Sequence, residues 1–245
     1  MANWSDPRLG AAPHAAATVG TRDVAFDAGL RSYMLTVYNY MASGVLLTGI
    51  VAYAFAMSGM AAQIFYGGGI LAWVIIFAPL LMVFALNFGA NRMSTGATQI
   101  FYWAFAAVMG LSMSVIPLIY NGTSIAAVFF ATAAAFCSLS LWGYTTKKDL
   151  SAFGTFLLMG VVGLIVAMIA NIFIRSDTMS MVISFIGVLL FAGLTVYDTQ
   201  KIKEIYFHVA GTEMMGKTAI LGALTLYLDF INMFQFLLQL VGSRD

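Results

Sequence analysis

Charge is what this chain has least of. Only 9% of its 245 residues are Asp, Glu, Lys or Arg, whereas 62% are apolar, and the mean hydropathy is +0.93. Soluble domains average about 25% charged residues, so a soluble globular fold is excluded. The net charge of +1 says nothing about nucleic acid, but no basic patch is dense enough for such a partner, and none is expected. Cysteine is nearly absent: Cys137 stands alone, which excludes an internal disulfide and a cysteine-based metal site. The two histidines, His14 and His208, lie outside the apolar runs, which argues against a histidine-rich metal centre. No soluble module fits beside the apolar runs.

What is present is a series of long apolar segments. Each is about 20 residues long, enough to cross ~30 Å of hydrocarbon at ~1.5 Å per residue. The predicted spans are Tyr33–Met57, Gly69–Phe88, Thr98–Ile119, Ser124–Tyr144, Ala152–Ile174, Met179–Thr199 and Thr218–Leu240. The runs are continuous and do not alternate, so they read as helices and not as barrel strands. The expected fold is an all-α integral membrane protein with seven transmembrane helices. Residues 1–30 are mixed in character and read as a mobile cytoplasmic N-terminal tail that turns helical near Val24, followed by a membrane domain over 31–245. They lack the apolar core of a signal peptide. The longest connection is expected at Gln200–Lys217.

Lysine and arginine set the expected orientation. With seven spans, the N-terminal side holds Arg8, Arg22, Arg31, Arg92, Lys147, Lys148, Lys201, Lys203 and Lys217, and the other side only Arg175 and Arg244. The N-terminus is therefore expected in the cytoplasm. A six-span arrangement with a re-entrant last segment would move only Arg244, so charge leaves that alternative open. Gly44 and Gly49, and Gly160 and Gly163, read as close-packing points between helices. Pro117 is expected to kink or end the third span.

Two acids interrupt the apolar pattern: Asp198 in FAGLTVYDTQ and Asp229 in LTLYLDFINMFQF. Ionised carboxylates inside a membrane are costly, and they mark bundle interiors or ion paths. On the last helix Asn232, Gln235 and Gln239 fall on the same side as Asp229, within a sector of ~120° at ~100° per residue. This polar stripe can line a core path, or it can serve hydrogen bonding between helices. Thr195 and Thr199 are candidate hydrogen-bond partners of Asp198. Lys201 is a candidate ion-pair partner, and Arg92 is a second one that would act as a latch. Two carboxylates ~4 Å apart repel by ~4 kcal/mol at an effective dielectric of ~20, so such a pair would titrate as a unit. Sharing one proton, it joins two helices. Fully ionised, it repels or recruits a hard cation such as Ca²⁺, with Asp198 and Asp229 as oxygen ligands. A depth count places Asp229 ~16 Å into the membrane and Asp198 only a few Å, so contact between them does not follow from the spans.

At these residues the chain resembles the Bax-inhibitor family of transmembrane proteins, the Bax-inhibitor-motif or YccA-type group. The resemblance covers nearly everything after about residue 28. It is strongest at GLTVYDTQKIK (Gly193–Lys203) and ALTLYLDFINMFQFLLQLVG (Ala223–Gly242), with support from KKDLS at Lys147–Ser151 and the basic Arg92 after the second span. The resemblance implies a seven-helix bundle with the C-terminal helix central and wrapped by the other six. It also implies a di-aspartyl pH sensor at Asp198 and Asp229, Arg92 as latch partner, and a pH-dependent calcium leak. Some bacterial relatives instead bind and restrain a membrane-anchored AAA protease. The short tail Gly242–Asp245 departs from the long basic tails of eukaryotic relatives, which points to a bacterial inner-membrane member. The second span lacks the acid that some relatives carry there.

Three functional readings follow. The first is a pH-sensitive calcium leak channel gated by the aspartates, with no resident cofactor, a lipid bilayer as its surroundings and a closed monomer as its unit. The second is a regulator of a membrane protease acting through residues 1–30. The third, an intramembrane aspartyl protease, fits poorly. Tyr197–Asp198 matches half of such a site, but Leu226–Asp229 reads LYLD where a Gly-x-Gly-Asp turn is needed. The protein is therefore expected not to be an enzyme.

Overall fold

The computed structural model describes residues 14–89 and 92–243. Every regular element in it is a helix: α1 (His14–Met57), α2 (Met60–Tyr66), α3 (Ile70–Gly89), α4 (Thr95–Met113), α5 (Ile116–Ile119), α6 (Gly122–Thr145), α7 (Ser151–Ile174), α8 (Asp177–Val209) and α9 (Met214–Val241). Six spans are long and apolar enough to cross a membrane, and the bent pair α2–α3 completes seven. Polar side chains start several of them. Ser94, Asn121 and Ser176 accept the amides of Ala97, Ser124 and Met179 at 3.2, 2.8 and 3.3 Å, capping α4, α6 and α8.

Breaks fall where the backbone is special. Gly59, at φ 76°, separates α1 from α2, and the glycines at 67–69 separate α2 from α3, whose axes differ by 102°. The third span breaks at Ser114–Val115, and Pro117 sits in the first turn of α5, where its missing N–H costs nothing. Arg175 takes the left-handed conformation, φ 55°, to turn α7 into α8. Asn171 stabilises that turn by accepting the Ser176 amide at 3.1 Å and donating to the Ser180 hydroxyl at 2.7 Å.

α9 is the axis of the bundle. Of its apolar window 67% is buried inside the protein, against 11% for α7. It packs on α8, α1, α6 and α4, while α7 leans on α8 and α3 on α4. The central helix is thus enclosed chiefly by four neighbours and not evenly by six. Gly44 and Gly160 are close-packing points, against the rings of Tyr102 and the side chain of Leu190. Gly49 and Gly163 face open space.

Two boundaries differ from the sequence expectation. Of the expected tail over residues 1–30, the first thirteen residues lie outside the described residues; from His14 the backbone is helical, earlier than the turn expected near Val24. The expected connection Gln200–Lys217 shrinks to four residues, because α8 continues to Val209 and α9 begins at Met214. Hydropathy ends a span at the first charges, but Ile202 and Tyr206 keep the buried face going at helical spacing between Lys201, Lys203 and Glu204. Tyr206 packs on Tyr33, with ring centroids 5.3 Å apart, so the extension is anchored to the start of α1.

Candidate functional site

The continuous α8–α9 hairpin changes the depth count. Measured from the hairpin turn at ~1.5 Å per residue, Asp198 lies ~16 Å along α8 and Asp229 ~22 Å along α9, a difference of about one helical turn. The two carboxyl groups face each other within hydrogen-bonding reach. Asp229 is buried, 4% exposed, and Asp198 is half-buried beside the Lys201 ammonium. A hydrogen bond between two carboxyl groups requires one of them to hold a proton. One carboxyl oxygen of Asp229, Oδ2, is buried and has no hydrogen-bond partner.

The surroundings give the pair little help. Thr195 and Thr199 do not serve it, because their hydroxyls donate to the carbonyls of Phe191 and Thr195 at 2.8 and 2.7 Å. Arg92 is exposed in the turn between α3 and α4 and makes no ion pair with Asp198 among the described residues; Lys201, on the same helix as the acid, is the cation beside it. The short reach along one helix face explains the preference over a long span between elements. No cluster of three or more His, Cys, Asp or Glu residues exists among the described residues, so a bound Ca²⁺ would take most of its six to eight oxygens from elsewhere.

The polar stripe lies further along α9. Asn232, Gln235 and Gln239 line a cavity of about 700 Å³ bounded by α3, α4, α7, α8 and α9. Asn232 donates to its own helix at Leu228, and Gln239 accepts the Ser184 hydroxyl at 2.7 Å. Gln235 is exposed to the cavity. Neither acid is among the lining residues, whereas Leu228 and Asn232, their neighbours on α9, are.

Several polar contacts around the pair were not foreseen. Tyr227 donates to Thr48 at 2.6 Å, and Thr48 donates to the Ala106 carbonyl at 2.8 Å, tying α9 to α1 and α4 in the core. Tyr38, Ser140 and Thr199 form a hydroxyl chain of 2.7 and 2.9 Å across α1, α6 and α8. Gln200 clamps the α6–α7 connection, accepting from Leu150 N at 3.0 Å and donating to Lys148 O at 2.7 Å. Lys217 is buried in the first turn of α9 and is not a loop residue. Each of these partnerships joins residues far apart in the chain, which spacing alone cannot reveal.

The sequence that places YDTQ on α8 and LDFIN on α9 matches a known family over most of the chain. Residues 30–245 match the family described as Inhibitor of apoptosis-promoting Bax1. The chain belongs to the Bax inhibitor family. Among its relatives, an uncharacterized protein of Rickettsia prowazekii is 42% identical over 227 residues, covering 93% of this chain and 96% of its own. The inner membrane protein YbhL of Escherichia coli K12 is 40% identical over 219 residues, 89% of this chain and 94% of its own. A Caulobacter vibrioides protein is 43% identical over 231 residues, covering 91% and 92%. This Bax inhibitor family member is accordingly a multipass membrane protein.

Proposed function

We propose that this protein is a pH-sensitive cation leak, with calcium as the permeant ion, gated by the Asp198–Asp229 pair. The observation that carries the reading is the facing of two carboxyl groups at the bundle axis, one of them with an unbonded buried oxygen. With one proton between them, the acids join α8 to α9. Once that proton leaves, the two charges repel by ~4 kcal/mol at ~4 Å and a dielectric of ~20. Separation of the helices, with a cation drawn between them, relieves that repulsion. Lys201, on the same helix, is the cation beside Asp198. The cavity lined by Asn232, Gln235 and Gln239 forms the opposite vestibule, and Leu228 with Asn232 is the barrier in between. A monomer suffices, because the path lies inside one bundle. The basic end of the bundle faces the cytoplasm.

The test is calcium flux into proteoliposomes from pH 6 to 8. The wild type should leak more as pH rises, and Asp198→Asn and Asp229→Asn should both lose that dependence. Flux that is absent at every pH, or unchanged in both variants, overturns the reading. Regulation of a membrane protease through residues 1–30 would then be the next hypothesis to test, by deleting those residues.

A further inference from the structure

We propose that the seam between α1 and α6 is a binding groove for one anionic phospholipid of the surrounding bilayer. α1 and α6 both pack on α9 and meet each other at the Tyr38–Ser140 hydrogen bond, and between them lies a cavity of about 790 Å³ whose wall includes the buried Phe230 of the central helix. A second space of about 550 Å³ continues it, sharing Val45, Phe129 and Phe230. The groove opens sideways to the hydrocarbon through the exposed Leu35, Leu46 and Leu141.

Its polarity runs in one direction. Arg31, Tyr38, Ser140 and Tyr144 gather at the end near the start of α1 and the end of α6, and the remainder of the wall is aliphatic or aromatic. Arg31 is exposed and has no ion pair among the described residues, with Asp27 one turn before it. Lys203 stands at the same end, donating to the Tyr144 carbonyl at 2.8 Å and lying 5.6 Å from the centre of its ring. The exposed Arg31 at the rim of an apolar slot is the complement of an anionic headgroup with its acyl chain below.

The experiment is native mass spectrometry of the full chain, delipidated and then titrated with phosphatidylglycerol or phosphatidylcholine. Wild type should retain one phosphatidylglycerol about fivefold more than phosphatidylcholine, the factor that one cation at a membrane surface contributes. Arg31→Gln should erase the headgroup preference, and Ala133→Trp, which fills the groove, should abolish retention of both lipids. Arg31 is exposed, so that variant decides the matter even if Ala133→Trp fails to fold. No retention by the wild type, equal retention of the two lipids, or an unchanged preference in Arg31→Gln would each overturn the proposal. So would lipid binding that emerges only after residues 1–13 are deleted, which would make that segment the occupant. Cys137, exposed in the groove, supplies an independent readout: its alkylation by a membrane-permeant maleimide should slow when phosphatidylglycerol is bound.

Discussion

At the scale of single residues, the two acids were legible because the membrane makes any carboxylate conspicuous, whereas their polar neighbours were not. Tyr227 is two positions from Asp229 yet faces the other way, into Thr48. Its worth depends on how the protons are arranged. The Thr48 hydroxyl hydrogen is spent on Ala106 O, so Tyr227 must be the donor to Thr48. Tyr227→Phe removes a donor and leaves Thr48 its acceptor, so it should cost ~1 kcal/mol. Thr48→Val strands a buried phenol hydroxyl and should cost more, ~1–3 kcal/mol, when unfolding is followed in mixed micelles. Outside the membrane, Asp149 accepts from the Ser151 hydroxyl at 2.6 Å and amide at 2.9 Å, and these bonds hold its carboxyl below the usual carboxylate range. Because the folded value is lowered, the contribution to the start of α7 is complete above the ordinary value of ~3.9 and disappears as pH falls through the lowered one. An NMR titration of Asp149 should show the low value, and Ser151→Ala should raise it.

At the scale of elements, hydropathy located the seven spans but misjudged where two of them end. The reason is visible at Lys201–Tyr206, where charge and buried apolar residues alternate at helical spacing and a hydropathy average cancels them. That extension brings Asp198 and Asp229 to similar depths, so the contact rested on ten residues that read as loop. Glycine spacing was a half-reliable guide for a similar reason: it marks closeness without naming the neighbour. Gly143 was not singled out, yet a Cβ there would run into the Val196 carbonyl and lie 3.0 Å from Thr199 Cβ, and backbone cannot swing aside. Gly143→Ala should therefore force α6 from α8 and lower the melting temperature, and it should also disturb the Ser140–Thr199 bond of 2.9 Å. Gly163→Ala, facing open space, should be neutral or slightly stabilising, since alanine favours helix by up to ~1 kcal/mol over glycine. Parallel thermal melts of the two variants check the contrast; equal losses would mean that the α6–α8 approach is not a tight packing point.

At the scale of the whole molecule, the bundle is electrically lopsided, and this decides how it should sit in the bilayer. The helix contacts place the start of α1, the α6–α7 connection and the α8–α9 turn at one end: Tyr206 meets Tyr33, Gln200 holds Lys148, and Lys203 meets Tyr144. Arg92 joins that end through α4, whose Thr95 lies against Gly216 of α9. Arg31, Arg92, Lys147, Lys148, Lys201 and Lys203, with the buried Lys217, thus gather at one end, and Arg175 sits at the other. Basic residues in short loops are retained in the cytoplasm, so this end should face inward. α9 then leaves the cytoplasm near Lys217, and its 28 residues, ~42 Å at ~1.5 Å each, exceed the ~30 Å of hydrocarbon. A re-entrant last segment would need a reversal inside α9, and the helix has none. The C-terminus should therefore lie on the non-cytoplasmic side. Alkaline phosphatase fused after Asp245 should be active and green fluorescent protein fused there dark, with the opposite pattern for fusions placed in the α6–α7 connection. Fluorescence at the C-terminus would overturn the seven-span orientation. It would also invert the proposed gate, because the carboxyl pair would then sense the pH on the other side of the membrane.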